Sequence, residues 1–257
     1  MALLSVQNVT MRFGGLLAND QISFDVPQGS IYAVIGPNGA GKTTLFNSIA
    51  GALVPTSGAV VFDGQPITGL PQASIASRGL IRTYQLVQLF KDLTVAENVE
   101  IGFHRVTRGG VLSALLRPRW AREQDARIAR EARELLAFVG LGDQGDLVAD
   151  KLPYGRQRLL EVARALAADP KLILLDEPAA GLNTQETAAL ADVIQRVNAR
   201  GVTVLLIEHD MGLVMKVAQR IAVLDFGKTI AEGAPDEIRR NPDVLAAYLG
   251  GVEMIDG

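Results

Sequence analysis

The stretch GPNGAGKTT, Gly36 to Thr44, satisfies the spacing G-x-x-x-x-G-K-[ST] in full. Glycines at 36, 39 and 41 let successive backbone N–H groups close around phosphate oxygens, with Pro37, Asn38 and Ala40 filling the loop between them. Lys42 is suited to reach the β- and γ-phosphates, and Thr43, followed by Thr44, to hold Mg²⁺. The context is the required one. The apolar run IYAVI precedes the loop and the helix-like KTTLFNSIAGAL follows it, so the helix dipole adds to the amides. The chemistry this implies is binding of a nucleoside triphosphate such as ATP.

A second acidic site stands at the end of LILLDE, Leu172 to Glu177. Asp176 is placed to hold Mg²⁺ through water, and Glu177 to polarise an attacking water as general base. Acidic residues often end strands, so this pair draws its meaning from the phosphate loop upstream. His209 follows another apolar run, in LLIEHD. A lone histidine is usually structural, but ligands of open α/β sheets collect at the carboxyl ends of strands. That position favours a γ-phosphate contact. Gln85, in RTYQL, carries no signal by spacing alone.

These side chains need a sheet to hold them. IYAVI, KLILLDEP and VTVLLIEHD read as strands buried on both faces and alternate with helical segments, as a largely parallel α/β core requires. LLSVQNVTMRF and QISFDVPQGSIYAVIG read as strands, and SGAVVFDGQPI as a hairpin, giving an antiparallel patch beside the core. IAVLDFGKTIAEG reads as a last hairpin, followed by helical turns in PDEIRRNPDVLAAYLG. From about 73 to 164 the pattern is mostly helical and predicts an inserted lobe, leaving 1–72 and 165–257 as the core of one domain. The 257 residues are 48% hydrophobic with net charge −3, which excludes a disordered chain and gives no basic footprint for nucleic acid. The absence of cysteine excludes a disulfide framework and thiolate metal sites. No apolar run reaches the roughly 18–20 residues that span a bilayer, and MALLSVQNVTMRF lacks the layout of a signal peptide.

Taken in order, GPNGAGKTT, Gln85, LPYGRQ, LILLDEP, AAGLN and IEHD resemble the nucleotide-binding subunit of an ATP-binding-cassette (ABC) transporter, over essentially the whole chain. The resemblance implies a P-loop, RecA-like core with an antiparallel β subdomain and an inserted helical subdomain. It implies that Phe13 stacks on adenine, that Gln85 senses Mg²⁺ and the lytic water, and that His209 is the switch histidine. It implies a head-to-tail dimer with a second ATP-binding subunit, itself or a sister. In that dimer Leu152, Pro153, Tyr154, Gly155 and Arg156 cap the partner's nucleotide, and Gly181, Leu182 and Asn183 form the dimer loop. Two transmembrane permease subunits, an extracytoplasmic substrate-binding protein and a peripheral place on the cytoplasmic face of the inner membrane follow from the same resemblance.

The signature departs from the family's L-S-G-G-Q pattern: Pro153 replaces serine, Tyr154 the first glycine and Arg156 the glutamine. Loss of the hydroxyl removes a hydrogen bond to a charged phosphate, on the order of 1.5–3 kcal/mol. Gly155 and the helix dipole remain, so the loop is altered but not disabled. MRFGGLLA, PYG, DEPAAGLN, IEHDM and VLDFGKTIAEGAP resemble, more narrowly, an ATPase subunit of branched-chain amino acid importers. There proline and tyrosine in the signature are ordinary and asparagine suits position 183, while Arg156 is still unusual. Members of that group also serve other amino acids, amides and urea. Between His104 and Arg122 lie five arginines and no acidic residue, fitting either a solvated insertion or a basic face for an anionic membrane or partner helix. A ribosome- or DNA-acting ABC ATPase would carry two cassettes or a long coiled coil, and neither is present. A binder that holds ATP without turnover would not need both Glu177 and His209.

Overall fold

A computed structural model describes residues 1–105 and 119–249. The described residues divide into two compact units. The first comprises Met1–Arg82, Lys171–Gly181 and the chain from Thr187 onward. The second comprises Thr83–Pro170 and Leu182–Glu186.

The first unit carries two sheets among its described residues. Long strands β1 (Ala2–Phe13) and β2 (Leu16–Pro27) pair antiparallel, and β4 (Ser57–Phe62) with the short β5 (Gln65–Pro66) extends them in the order β2-β1-β4-β5. β1 buries Leu4 and Val6 at alternate positions and, past a register shift between Val6 and Val9, Val9 and Met11. The second sheet has the order β10-β9-β3-β8-β7-β6. Its centre is β3 (Ile31–Ile35), β8 (Thr203–Ile207) and β7 (Leu172–Asp176), which run parallel and are buried at every position. That is why their sequences are continuous apolar runs rather than alternating ones. β9 (Arg220–Asp225) lies parallel to β3, and β10 (Lys228–Gly233) returns antiparallel beside it. One core joins the sheets: Val6, Phe24 and Phe62 share it with Tyr32, Phe46, Leu174 and Leu205.

The remaining strand, β6 (Leu80–Arg82), falls within the stretch from about 73 to 164 that reads as mostly helical. It pairs in parallel with β7, so it and α2 (Gln72–Ser77) belong to the first unit. The second unit accordingly starts at Thr83 and runs to Pro170, not from 73 to 164. Three residues are too few to show a period of two, and only the partner strand makes LIR a strand.

Besides α2, the first unit has the described helices α1 (Lys42–Ile49), α6 (Thr184–Ala199, entering from the second unit), α7 (Met211–Val217), α8 (Pro235–Arg240) and α9 (Pro242–Leu249). The second unit is built on α3 (Val95–Gly102), α4 (Arg119–Val139) and α5 (Tyr154–Ala167). A full capping box opens α3: the Glu97 N–H donates to Thr94 Oγ1 at 3.1 Å and the Thr94 N–H to Glu97 Oε2 at 2.7 Å. Helix α4 buries only Ala132, Leu136 and Val139, and its outer face carries Arg119–Glu123 and Arg127–Glu131 pairs at i,i+4. Of the basic segment 104–122, residues 106–118 lie outside the described residues, and Trp120 is exposed. Among the described residues no helix is long and apolar enough to cross a membrane.

Candidate active site

The loop between β3 and α1 is a phosphate cradle in its backbone. Gly36, Gly39 and Gly41 have φ of 150°, 81° and 93°, in the region open to glycine. At two of them a side chain would also collide with backbone: a Cβ on Gly36 would strike the Leu224 carbonyl, and one on Gly41 the Ala18 carbonyl. Helix α1 opens at Gly41 with no side-chain cap and no acidic residue in its first turn, so its leading N–H groups keep their affinity for an anion. Lys42 folds back over the loop and donates from Nζ to the Gly36 carbonyl at 2.7 Å and the Pro37 carbonyl at 2.8 Å. It is only 6% exposed. Burial lowers its pKa below the usual lysine value of 10.5, and the nearby Glu177 carboxylate opposes that shift. Thr43 is exposed and Thr44 half-buried.

Strand order decides what faces this loop. β3, β8 and β7 are neighbours, so the P-loop, His209 and the Asp176–Glu177 pair leave the same carboxyl edge of one sheet. Asp176 is buried and held from inside by Arg82, whose Nη2 lies 2.6 Å from Oδ2 while Nη1 donates to Asn47 Oδ1 at 2.7 Å. Glu177 sits at φ 44°, a strained setting for a non-glycine residue. Its N–H is tied to the Ile207 carbonyl at 3.0 Å, and Oε2 lies 4.0 Å from His209 Nδ1.

Between them stands a residue that sequence reasoning passed over. Glu208 is fully buried. Its carboxylate accepts from the N–H of Ala179 at 2.7 Å, His209 at 3.1 Å and Asp210 at 3.3 Å. Burial raises its pKa, and those three backbone donors pull it back. Glu208 thus pins the turn after Glu177 to the turn bearing His209. The signal in LLIEHD was an acidic residue ending an apolar strand, but its one distant partner, Ala179, comes from the turn after β7, which spacing does not show.

A cleft of about 420 Å³ gathers these groups. Asn38 to Thr44, Glu177, Phe13, Leu16, Leu17, Ala18, Phe226 and Gly227 line it. Polar, cationic depth with an apolar rim suits a nucleotide. The donor set also fits Mg²⁺, which takes few protein ligands and completes its shell with phosphate and water. Among the described residues there is no group of three or more acidic or imidazole side chains of the kind that binds a metal by itself.

The ABC transporter family model matches residues 19–180, spanning the P-loop through Ala180. The chain belongs to the ABC transporter ATP-binding family. A second model, for branched-chain amino acid ATP-binding cassette transporters, matches residues 228–253. The cassette is 45% identical to the high-affinity branched-chain amino acid transport ATP-binding protein LivG of Escherichia coli K12, over 96% of this chain and 98% of that one. It is 44% identical to the corresponding protein BraF of Pseudomonas aeruginosa, over 96% and 98%. Among solved structures it is similar to the ADP form of an ATP-binding cassette of an ABC transporter. That match has TM-score 0.85 and 33% identity, covering 97% of this chain and 99% of the other. The expected fold class, a P-loop core with an antiparallel β part and a helical insertion, is that of these cassettes, and the chain is an ABC ATPase.

The second unit holds the other candidate residues. In the cassette's signature, LPYGR is not a free loop: Pro153 is the N-cap and Tyr154 already begins α5. Pro153 brings no side-chain cap, and its carbonyl already accepts from the Arg156 N–H at 2.9 Å and the Gln157 N–H at 3.0 Å. Gly155 is buried where a Cβ would meet the Glu186 carboxylate at 2.5 Å, while Pro153, Tyr154 and Arg156 are exposed. Asn183 Oδ1 caps α6, accepting from the N–H of Gln185 and of Glu186, both at 3.0 Å.

Gln85 joins the signature through a residue the sequence did not single out. Arg158, 1% exposed, donates to the carbonyls of Tyr84 (2.7 Å) and Gln85, pairs with Glu161 at 3.0 Å, and reaches Tyr154 Oη at 3.2 Å. One buried guanidinium therefore ties the backbone at Gln85 to the first turn of the signature helix. In sequence it is one more cation in RQRLLEVAR.

Proposed function

We propose that this ABC ATPase is the motor subunit of an importer for branched-chain or related amino acids. The observation that carries it is the convergence of Lys42, Thr43 and Glu177 on one cleft, with His209 beside Glu177. The relatives' transport of branched-chain amino acids supports the substrate class.

In this reading ATP lies with its phosphates on the amides of Gly36 to Thr44, its charge met by Lys42 and the α1 dipole. Phe13 stacks on adenine. Thr43 and Asp176 would hold Mg²⁺, which when bound would spread the charge of the transferring phosphoryl group. Glu177 orients water and takes up its proton, and His209 contacts the γ-phosphate. Glu208 and Arg82 are positioning residues: one sets the turns bearing Glu177 and His209, the other orients Asp176. Phosphoryl transfer needs little covalent help, so placement and charge do most of the work.

The signature, Leu152 to Arg156, and the loop Gly181, Leu182 and Asn183 would act on a second subunit in a head-to-tail dimer. That pair would sit at the cytoplasmic face of the inner membrane, against two permease subunits fed by an extracytoplasmic binding protein. Glu177→Gln tests the core of this reading. The variant should bind ATP and accumulate as a closed dimer, alone or with a sister ATPase, in size-exclusion chromatography with light scattering. A Glu177→Gln chain that still hydrolyses ATP at the parent rate would sink it.

A further inference from the structure

The hairpin between β9 and β10 turns on two residues, Phe226 and Gly227, because Asp225 pairs directly with Lys228. Both have positive φ, 42° and 78°, as in the type I′ turns that join two-residue hairpins. Such turns favour asparagine, aspartate or glycine at the first position, and a bulky side chain there is a true outlier. Phe226 gains no packing in exchange, since it is 80% exposed.

The turn itself is held firmly. Gly227 donates its N–H to the Ala40 carbonyl of the P-loop at 3.2 Å, and its own carbonyl accepts from the Asp20 N–H at 2.8 Å. A Cβ on Gly227 would meet the Ala18 carbonyl at 2.8 Å. A rigid, strained turn thus carries an exposed aromatic ring at the rim of the phosphate cleft, which Phe13 and Leu16, also exposed, line as well. Strain held without internal compensation points to a partner outside the chain.

We infer that Phe226 is a second base-contacting residue, which with Phe13 forms a two-sided aromatic grip on the purine of the nucleotide. The inference rests on the nucleotide reading of the cleft and deepens it. The turn is bonded to the P-loop, so the ring keeps a fixed place relative to the phosphates, and stacking on it costs little ordering.

Calorimetric titration of the full chain with ADP and, separately, with inorganic triphosphate tests this. Phe226→Asn suits the left-handed turn and keeps the fold, so it separates stacking from strain. It should raise the melting temperature yet weaken ADP about tenfold, leaving inorganic triphosphate unchanged. Phe226→Tyr should keep ADP affinity. If the parent binds ADP and Phe226→Asn binds it equally well, the grip is overturned while the nucleotide site stands. Equal weakening of ADP and triphosphate also overturns it, since the turn would then act only through the P-loop. If the parent binds neither, it is the reading of the cleft that fails.

Discussion

At the scale of single residues, the proposed function divides the groups of the cleft into those that would hold phosphate and those that would act on water. Lys42 belongs to the first kind. Its ammonium is buried, bonded to two carbonyls and lowered in pKa, so it loses its proton at a pH below 10.5 in the free protein. Phosphate favours the charged form. Nucleotide affinity should therefore fall as pH rises through the alkaline range under that value, and binding there should take up protons. Calorimetry in two buffers of different ionisation heat reads the uptake, and its absence would count against Lys42 as the phosphate cation. Glu177 belongs to the second kind: Glu177→Gln should lower kcat by about 100- to 10,000-fold with nucleotide affinity retained. Glu208 acts one step back. Glu208→Ala leaves three backbone donors unpaired near the site, so it should lower kcat more than it raises KM and lower stability by about 1–3 kcal/mol. A variant with lost stability but unchanged kcat would show that Glu208 only holds the fold.

At the scale of elements, α5 explains how an altered signature keeps its geometry. Its first turn is fixed from beneath by Arg158, Glu161 and Gly155 rather than by a capping serine. Arg158→Met would strand the Glu161 carboxylate in the interior, at a cost of about 3–5 kcal/mol in chemical denaturation. The double variant Arg158→Met with Glu161→Leu should recover most of that loss, because a buried pair exchanged for apolar groups is near neutral. Recovery of stability without recovery of ATPase activity would assign the pair to setting Gln85 against the signature. The sequence makes α5 plain as a helix after LPYGRQ, but neither its start at Tyr154 nor the Arg158 clamp is visible there. A helix boundary depends on backbone hydrogen bonds, and the clamp reaches residues more than seventy positions away.

At the scale of the whole molecule, the proposed head-to-tail dimer would set LPYGR against nucleotide on a second copy of this chain or on a sister chain. Pro153 gives no hydroxyl to a partner's phosphate, yet it has extended backbone at the N-cap, which serine shares (φ −55°, ψ 150°). In a Glu177→Gln background, Pro153→Ser should tighten the ATP-dependent dimer, read as a lower protein concentration at half-dimerisation by light scattering. No change on adding the serine would mean that the exposed first turn does not meet phosphate.

The sequence by itself determined the glycine-rich loop, the acidic strand end, the order of every strand but the short Leu80–Arg82, and the family. Each rests on local spacing: glycines that free the backbone, apolar runs that bury a strand on both faces, a helix that starts where the loop ends. Tertiary structure alone decided which strand ends are neighbours, and so which side chains meet. It drew Leu80–Arg82 into the six-stranded sheet, set Arg82 against Asp176, and hung Ala179, His209 and Asp210 on one buried carboxylate. Leu80 with Leu172, Arg82 with Asp176 and Ala179 with Glu208 are distant in the chain, and strand pairing, which no local pattern specifies, is the physical cause that brings them together.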